Sequence, residues 1–202
     1  PSGHTQGATC LFFHLALKTR KFWTKFLCIL AFLSIGFSRM YLGCHTPKDV
    51  LASMGISLLV SALIWHFQVF FLDDARHLKL IAAILAGLSL AVAAYSLTLM
   101  GNGTIEVKYA ADCCKAAGAG LGFAIGWYVE RTRLNFDTRT GNIWSQILKL
   151  AAGLAAALII KEGFSLLFGS SILAKMMEYL ILVLWVLVIY PYLFSKLLRR
   201  NV

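Results

Sequence analysis

Charged residues are scarce in this chain, and acidic residues are the scarcest of them. Of its 202 residues, 14% are charged, nine are Asp or Glu, and 59% are hydrophobic. Soluble domains usually contain about 25% charged and about 45–50% apolar residues. The composition therefore excludes an ordinary soluble domain and predicts an integral membrane protein.

The cysteines lack the spacing of a metal site. Cys10 and Cys28 lie inside apolar runs, where cysteine behaves as a small hydrophobic residue. Cys113 and Cys114 are adjacent but have no second pair, which argues against a zinc site. No acidic cluster stands out as a cation site either, so the sequence predicts neither a metal nor another cofactor.

Basic residues outnumber acidic ones and produce a net charge of +10. They fall in short clusters between apolar runs, which is the pattern of loops that orient a membrane protein. A nucleic-acid-binding surface would instead concentrate them along one face or one helix. We therefore expect a membrane environment and no nucleic-acid partner.

Seven apolar segments predict an all-α, polytopic transmembrane helix bundle, because a span needs about 20 mostly apolar residues. Pro191 lies near the end of the last segment and should kink it. The segments cover residues 1–17, 22–37, 50–72, 80–100, 116–129, 143–160 and 176–195.

The Lys and Arg residues are distributed unequally when the segments alternate across a membrane. The face that carries residues 1–4 and 38–49 receives six of them, and the opposite face receives twelve. Lys149, inside the sixth span, is left uncounted. The positive-inside rule makes the basic face cytoplasmic, so residues 1–4 and 38–49 are predicted on the non-cytoplasmic side, with the cell membrane as the expected location.

Between the second and third spans, residues 38–49 bring an Arg, a His and an Asp together. Thr46 suits a helix N-cap, Pro47 suits the first helical position, and Asp49 falls in the first turn. Asp49 could then hold one ring nitrogen of His45 and leave the other to act as a nucleophile. Alternatively, Asp49 only completes a capping box with Thr46. Both readings remain open from the sequence.

The chain opens with Pro1-Ser2-Gly3-His4. Ser2 or Gly3 could begin a helix whose free N–H groups favour an anion such as phosphate. An ordinary turn is the alternative. If the two short segments meet, His45 could attack phosphorus, His4 could protonate the leaving oxygen, and Arg39 could bind phosphate oxygens beside Ser2 and Gly3. This chemistry requires no metal.

The pattern Ser-Arg-x5-His-x3-Asp, from Ser38 to Asp49, resembles the third signature of the type 2 phosphatidic acid phosphatase and vanadium haloperoxidase superfamily. Pro-Ser-Gly-His resembles the second signature. The resemblance implies a phosphohistidine at His45 assisted by Asp49, with His4 as general acid. It also implies phosphate binding by the following residues: Ser2, Gly3, Ser38 and Arg39.

The family's first signature, a Lys followed by an Arg-Pro pair, is absent from these 202 residues. We therefore expect further residues upstream, and we expect the 202-residue chain alone to be inactive or very weak. Residues 1–75 would form the phosphatase part with both motifs, and residues 76–202 would add transmembrane helices.

The function that the resemblance implies is an integral membrane phosphatase for a lipid phosphate or diphosphate. Phosphatidic acid, a sphingoid phosphate and a polyprenyl diphosphate all remain possible substrates, and the oligomeric state stays open. A non-catalytic transporter or scaffold with a degenerate site is the alternative. A vanadate-dependent haloperoxidase is less favoured, because those proteins are soluble and this chain has seven apolar segments.

Overall fold

The computed structural model describes residues 2–72, 75–136 and 142–199, and within these ranges it is helical and contains no β-strand. The predicted all-α class is confirmed. The chain divides into two compact units, Pro1–Asp73 and Asp74–Val202. Some predicted features lie outside the described residues: Pro1, the loop residues Asp73 and Asp74, the loop residues 137–141 with Arg139, and the terminal Arg200.

The first unit consists of three helices, and α1 packs against both of the others. Gly36, in the middle of this packing, allows the close approach. A Cβ atom at Gly36 would meet the end of the Met54 side chain and would lie 3.1 Å from Val50 Cγ1 and 3.7 Å from Thr5 Cγ2. The helices are α1 (Gly3–Lys18), α2 (Phe22–Tyr41) and α3 (Pro47–Leu72).

In the second unit, α5 is the central helix, because it packs against both α4 and α7. Two π-helical turns interrupt the α-helical order, at Glu130–Leu134 and at Trp185–Ile189. The helices of this unit are α4 (Ala75–Gly101), α5 (Val107–Val129), α6 (Ile143–Phe168), α7 (Ile172–Leu184) and α8 (Tyr190–Arg199).

Five described helical stretches are long and apolar enough to cross a membrane. They cover Phe22–Tyr41, Pro47–Phe67, His77–Gly101, Ile143–Phe168 and Ile172–Lys196. Helix α6 is mostly apolar, yet none of its residues is buried. Such a surface would be costly in water, whereas lipid tails solvate it. The protein is therefore an integral membrane protein.

The last span contains the interruption that Pro191 predicts. Pro191 is the second residue of α8, and the π-helical turn Trp185–Ile189 comes directly before that helix. Proline has no N–H to donate, and its ring clashes with the carbonyl group of residue i−4 in a regular α-helix. Widening the preceding turn relieves this clash.

A charge pair in the second unit differs from the sequence-based expectation. Charged residues in an apolar helix, such as Lys175 and Glu178, are expected at the membrane interface, where long side chains reach water. The Lys175 Nζ atom lies 2.7 Å from Glu178 Oε2, but the Glu178 side chain is buried. Helix α7 packs on α5 closely enough to cover this carboxylate, which the sequence pattern did not reveal.

The close packing of α5 on α7 depends on glycines at four-residue spacing, Gly118, Gly122 and Gly126. A Cβ atom at Gly118 would collide with the backbone oxygen of Met176, and one at Gly122 would approach the backbone of Leu180. Small residues at such spacing let membrane helices approach each other closely. Backbone atoms cannot rotate away as a side chain can, so this contact is intolerant of added volume.

We predict that Gly118→Ala destabilises the protein by about 1–3 kcal/mol, the usual effect of overpacking. Thermal unfolding in detergent, followed by circular dichroism, measures the change. Gly87→Ala in α4 is the matched control, because a Cβ atom there meets nothing within 4 Å. The control should be neutral or stabilising, since alanine favours a helix over glycine. Equal melting temperatures for the two variants would contradict the prediction.

Candidate active site

The corner between α2 and α3, residues 42–46, is built by a helix-terminating motif. The Gly43 N–H donates to the Met40 carbonyl oxygen at 2.9 Å, and the Cys44 N–H donates to the Arg39 carbonyl oxygen at 3.2 Å. This is the Schellman pattern, which requires a left-handed residue. Gly43 supplies it with a φ of 67°. The corner thus holds Arg39 in the last turn of α2 while turning the chain toward His45.

Thr46 and Asp49 form a reciprocal capping box at the start of α3. The Asp49 Oδ2 atom accepts hydrogen bonds from the Thr46 N–H at 3.0 Å and from the Thr46 hydroxyl at 2.8 Å. The Asp49 N–H donates to Thr46 Oγ1 at 3.3 Å. Both predicted helix-start features are present, and α3 begins at Pro47. Among the described residues, no hydrogen bond joins Asp49 to the ring of His45.

The second motif lies at the start of α1, with Ser2 as the N-cap residue. Ser2 is fully buried, and its hydroxyl oxygen accepts from the Thr5 N–H at 3.4 Å. Gly3 and His4 follow it and are exposed. The Ser2 hydroxyl therefore caps its own helix, and the Gly3 and His4 residues carry the backbone N–H groups that a bound anion could reach.

Three residues of the two motifs are close along the chain to the contact around Gly36. Thr5 and Val50 both border Gly36, and they directly follow His4 and Asp49 in the chain. Arg39 comes three residues after Gly36, about one helical turn away. The start of α1, the end of α2 and the start of α3 thus meet at one end of the first unit. No hydrogen bond joins the His4 ring to the His45 ring within the described part of the chain.

Arg39 has an unusual environment for a basic residue. It is partly buried, and its Nε atom is buried without a hydrogen-bond partner among the described residues. A buried donor that lacks an acceptor costs about 1–3 kcal/mol, and a charged donor costs more. An anion at this position would remove that cost. The neighbouring Ser38 is exposed, and its hydroxyl donates to the Ile35 carbonyl oxygen at 2.8 Å.

Ser53, in the second turn of α3, makes a contact that its place in an apolar span does not predict. In the structure, the Ser53 hydroxyl oxygen accepts a hydrogen bond from the Ser2 N–H at 2.6 Å. This contact joins two residues that are 51 positions apart. The only sequence signal was that Ser53 lies four residues after Asp49, and therefore on the same face of α3.

The corner between α4 and α5, residues 102–106, repeats this backbone arrangement sixty positions later. Gly103 has a φ of 71°, and its N–H donates to the Met100 carbonyl oxygen at 3.0 Å. The Thr104 N–H donates to the Leu99 carbonyl oxygen at 2.9 Å. Ile105 occupies the position of His45, and Leu99 that of Arg39. The backbone conformation of the α2–α3 corner is thus also found where no candidate site residue is present. Any chemistry at the α2–α3 corner must therefore come from its side chains.

These features define an all-α integral membrane protein whose first unit brings the start of α1, which carries His4, next to the end of α2 and the start of α3, which flank His45. Residues 1–73 match the family described as "PAP2 superfamily", and residues 114–200 match "PAP2 superfamily phosphatase, transmembrane extension". The chain belongs to the PAP2 superfamily, and the family resemblance of its two motifs is confirmed.

Among curated proteins, the chain is similar to "Undecaprenyl-diphosphatase BcrC" of Bacillus subtilis (strain 168), with 37% identity over 69 residues. The matched stretch covers 34% of this chain and 34% of that relative. The chain thus spans about a third of the length of the curated relative it matches. No solved structure matches the chain.

Proposed function

We propose that this protein hydrolyses a lipid phosphate or lipid diphosphate at the end of the first unit where the two motifs meet. The observation that carries the proposal is Arg39, whose buried Nε atom has no acceptor among the described residues and which belongs to the third motif. The Gly3 and His4 amides at the start of α1 add uncharged donors for phosphate oxygens. The membrane-spanning helices would keep the lipid tail in the bilayer.

In the proposed reaction, a His45 ring nitrogen attacks phosphorus as the bond from phosphorus to the ester or anhydride oxygen breaks. His4 donates a proton to that departing oxygen. Water then attacks the phosphohistidine, His4 takes a proton from the water, and the bond between nitrogen and phosphorus breaks to release inorganic phosphate. Arg39 and the amides of Gly3 and His4 stabilise the charge on the oxygens of the transferring group.

Asp49 is assigned the role of orienting His45 and favouring its charged form after attack. The capping box supports this role indirectly, because Thr46 fixes the Asp49 carboxylate at the helix start that immediately follows His45. The capping and orienting roles are compatible, since a carboxylate has two oxygens and about four acceptor sites.

The substrate and the side of the membrane are also proposals. A polyprenyl diphosphate stands first among the substrates, because the similar Bacillus protein is named as an undecaprenyl-diphosphatase. We propose that the site opens on the non-cytoplasmic face, as the unequal distribution of Lys and Arg favours.

The test is phosphate release by the complete gene product in detergent–lipid micelles. The panel contains a polyprenyl diphosphate, phosphatidic acid and a sphingoid phosphate, each without added metal. We expect release from at least one lipid and inhibition by vanadate. We also expect little or no turnover by the 202-residue chain alone, because Arg39 would bind the phosphate without the Lys and Arg of the first signature. Absence of release from the whole panel would overturn the proposal, and rapid turnover by the short chain would refute the expected weakness.

A pair of substitutions separates the two roles of Asp49. Asp49→Asn keeps an oxygen that can accept the capping hydrogen bonds but removes the charge, so we expect turnover to fall by about 10²-fold or more with little loss of stability. Thr46→Ala removes the cap and should cost about 1 kcal/mol of stability with a much smaller effect on turnover. Phosphate release and melting temperature are measured on both. Normal turnover by Asp49→Asn would assign Asp49 to capping alone.

A further inference from the structure

Ser53 makes a polar contact between the start of α1 and the second turn of α3. Both Ser53 and Ser2 have an exposed fraction of 0%. The distance from the Ser2 backbone nitrogen to the Ser53 hydroxyl oxygen is 2.6 Å. Without this acceptor, the Ser2 N–H would be buried and unsatisfied, which costs about 1–3 kcal/mol. The start of α1 is therefore tied to one defined position along α3.

The other buried polar side chains of α1 and α3 provide no directional hydrogen bond that would fix how the two helices are placed along each other. Thr5 and Thr9 of α1 and Ser61 of α3 are almost completely buried, but their hydroxyl groups have no hydrogen-bond partner among the described residues. Small side chains let helices approach closely, but packing alone discriminates weakly against a slide or rotation. A directional hydrogen bond at Ser53 discriminates strongly.

The position of Ser53 connects this contact to the candidate active site. Ser53 lies four residues after Asp49, so the two side chains share a face of α3 and are separated by a rise of about 6 Å. Ser2 immediately precedes the exposed residues Gly3 and His4. The hydrogen bond therefore fixes the position of the segment that carries Gly3 and His4 relative to α3, the helix that follows His45.

We propose that Ser53 is a positioning residue that sets the distance between the His4 segment and the His45–Asp49 segment. The proposal rests on the phosphatase function proposed above. His4 must reach the leaving oxygen while His45 reaches phosphorus on the opposite side of the transferring group. An error of about 1 Å in such an arrangement can reduce turnover by about 100-fold, even when its cause lies away from the reacting atoms.

Ser53→Ala in the complete gene product tests the proposal. We expect kcat to fall by about 10-fold to 100-fold and the inhibition constant of vanadate to rise by a similar factor, with a smaller change in KM. Ser53→Thr retains a hydroxyl acceptor and should restore much of the loss. Ser61→Ala is the matched control, because Ser61 is equally buried on α3 but its hydroxyl has no partner in the part of the chain that the structure describes. It should leave kcat and vanadate inhibition unchanged.

The outcomes are distinguishable from failure of the proposed function. If Ser53→Ala keeps normal kcat and vanadate inhibition while His45→Ala is inactive, the positioning role is wrong and the phosphatase function stands. If Ser53→Ala and Ser61→Ala lose activity equally, the effect is general packing, and the positioning role is also refuted. If His45→Ala remains active, the proposed function itself fails. If the Ser53→Ala protein does not fold, Ser53→Cys replaces it, because the cysteine sulfur has the same connectivity but is a larger and weaker acceptor, and the same direction of change is expected.

Discussion

His45→Ala should reduce phosphate release by at least about 10³-fold, because removal of a nucleophile eliminates the covalent route rather than weakening it. The side chain is only partly buried and makes no hydrogen bond among the described residues. Its loss should therefore leave folding nearly unchanged. Initial rates with the most reactive lipid of the panel, together with the melting temperature in detergent, measure both effects.

The chain provides an internal control for this substitution. Ile105 has the same place in the α4–α5 corner as His45 has in the α2–α3 corner, and it is buried to a similar degree. Ile105→Ala should preserve phosphate release. If the two variants retain equal activity, His45 is not the nucleophile, and a non-catalytic role such as a transporter or scaffold becomes the better interpretation of the motifs.

Arg39→Gln should lower kcat/KM by about 10²–10³-fold and weaken vanadate inhibition. The magnitude is that of removing a donor which is aimed at charge developing in the transition state. The buried Nε atom of Arg39 has no acceptor among the described residues. We therefore expect the effect of the substitution to come mainly from loss of the proposed phosphate contact. Rates and vanadate inhibition constants for the wild-type protein and the variant measure it.

Arg39→Lys distinguishes geometry from charge at this position. Lysine keeps the positive charge but lacks the planar fork that matches two phosphate oxygens, so we expect it to recover less than a tenth of the lost activity. Arg20→Gln is the control for lost charge, since Arg20 is an exposed residue that follows α1 at its opposite end. An Arg20→Gln effect as large as that of Arg39→Gln would indicate a general electrostatic contribution instead of a phosphate contact.

The residues near the two motifs show how far the sequence can predict a site. The Thr46 cap, the first helical position of Pro47 and the first-turn place of Asp49 all follow from local preferences, and the structure contains each of them. The buried capping role of the Ser2 hydroxyl did not follow, although the motif named the residue. Whether a serine offers its hydroxyl to a ligand or to its own helix depends on the backbone direction at the helix start.

Contacts between distant residues were beyond the sequence pattern. The hydrogen bond from Ser2 to Ser53 joins segments 51 residues apart, and a serine within an apolar helix is equally compatible with simple close packing. Glu178 is a second case, because its burial depends on how tightly α7 lies on α5. The glycines of α5 are compatible with a close helix contact, but their spacing alone does not identify α7 as the neighbour.

By itself, the sequence determined that this protein is helical, that it resides in a membrane, and which side chains could carry phosphate chemistry, because hydropathy and motif spacing are properties of neighbouring residues. Only the tertiary structure decided that the starts of α1 and α3 meet beside the end of α2 and that Ser53 joins them. It also decided that the Arg39 Nε atom is buried with no acceptor among the described residues. These features require packing between helices, and packing depends on the shapes of surfaces that come from distant parts of the chain.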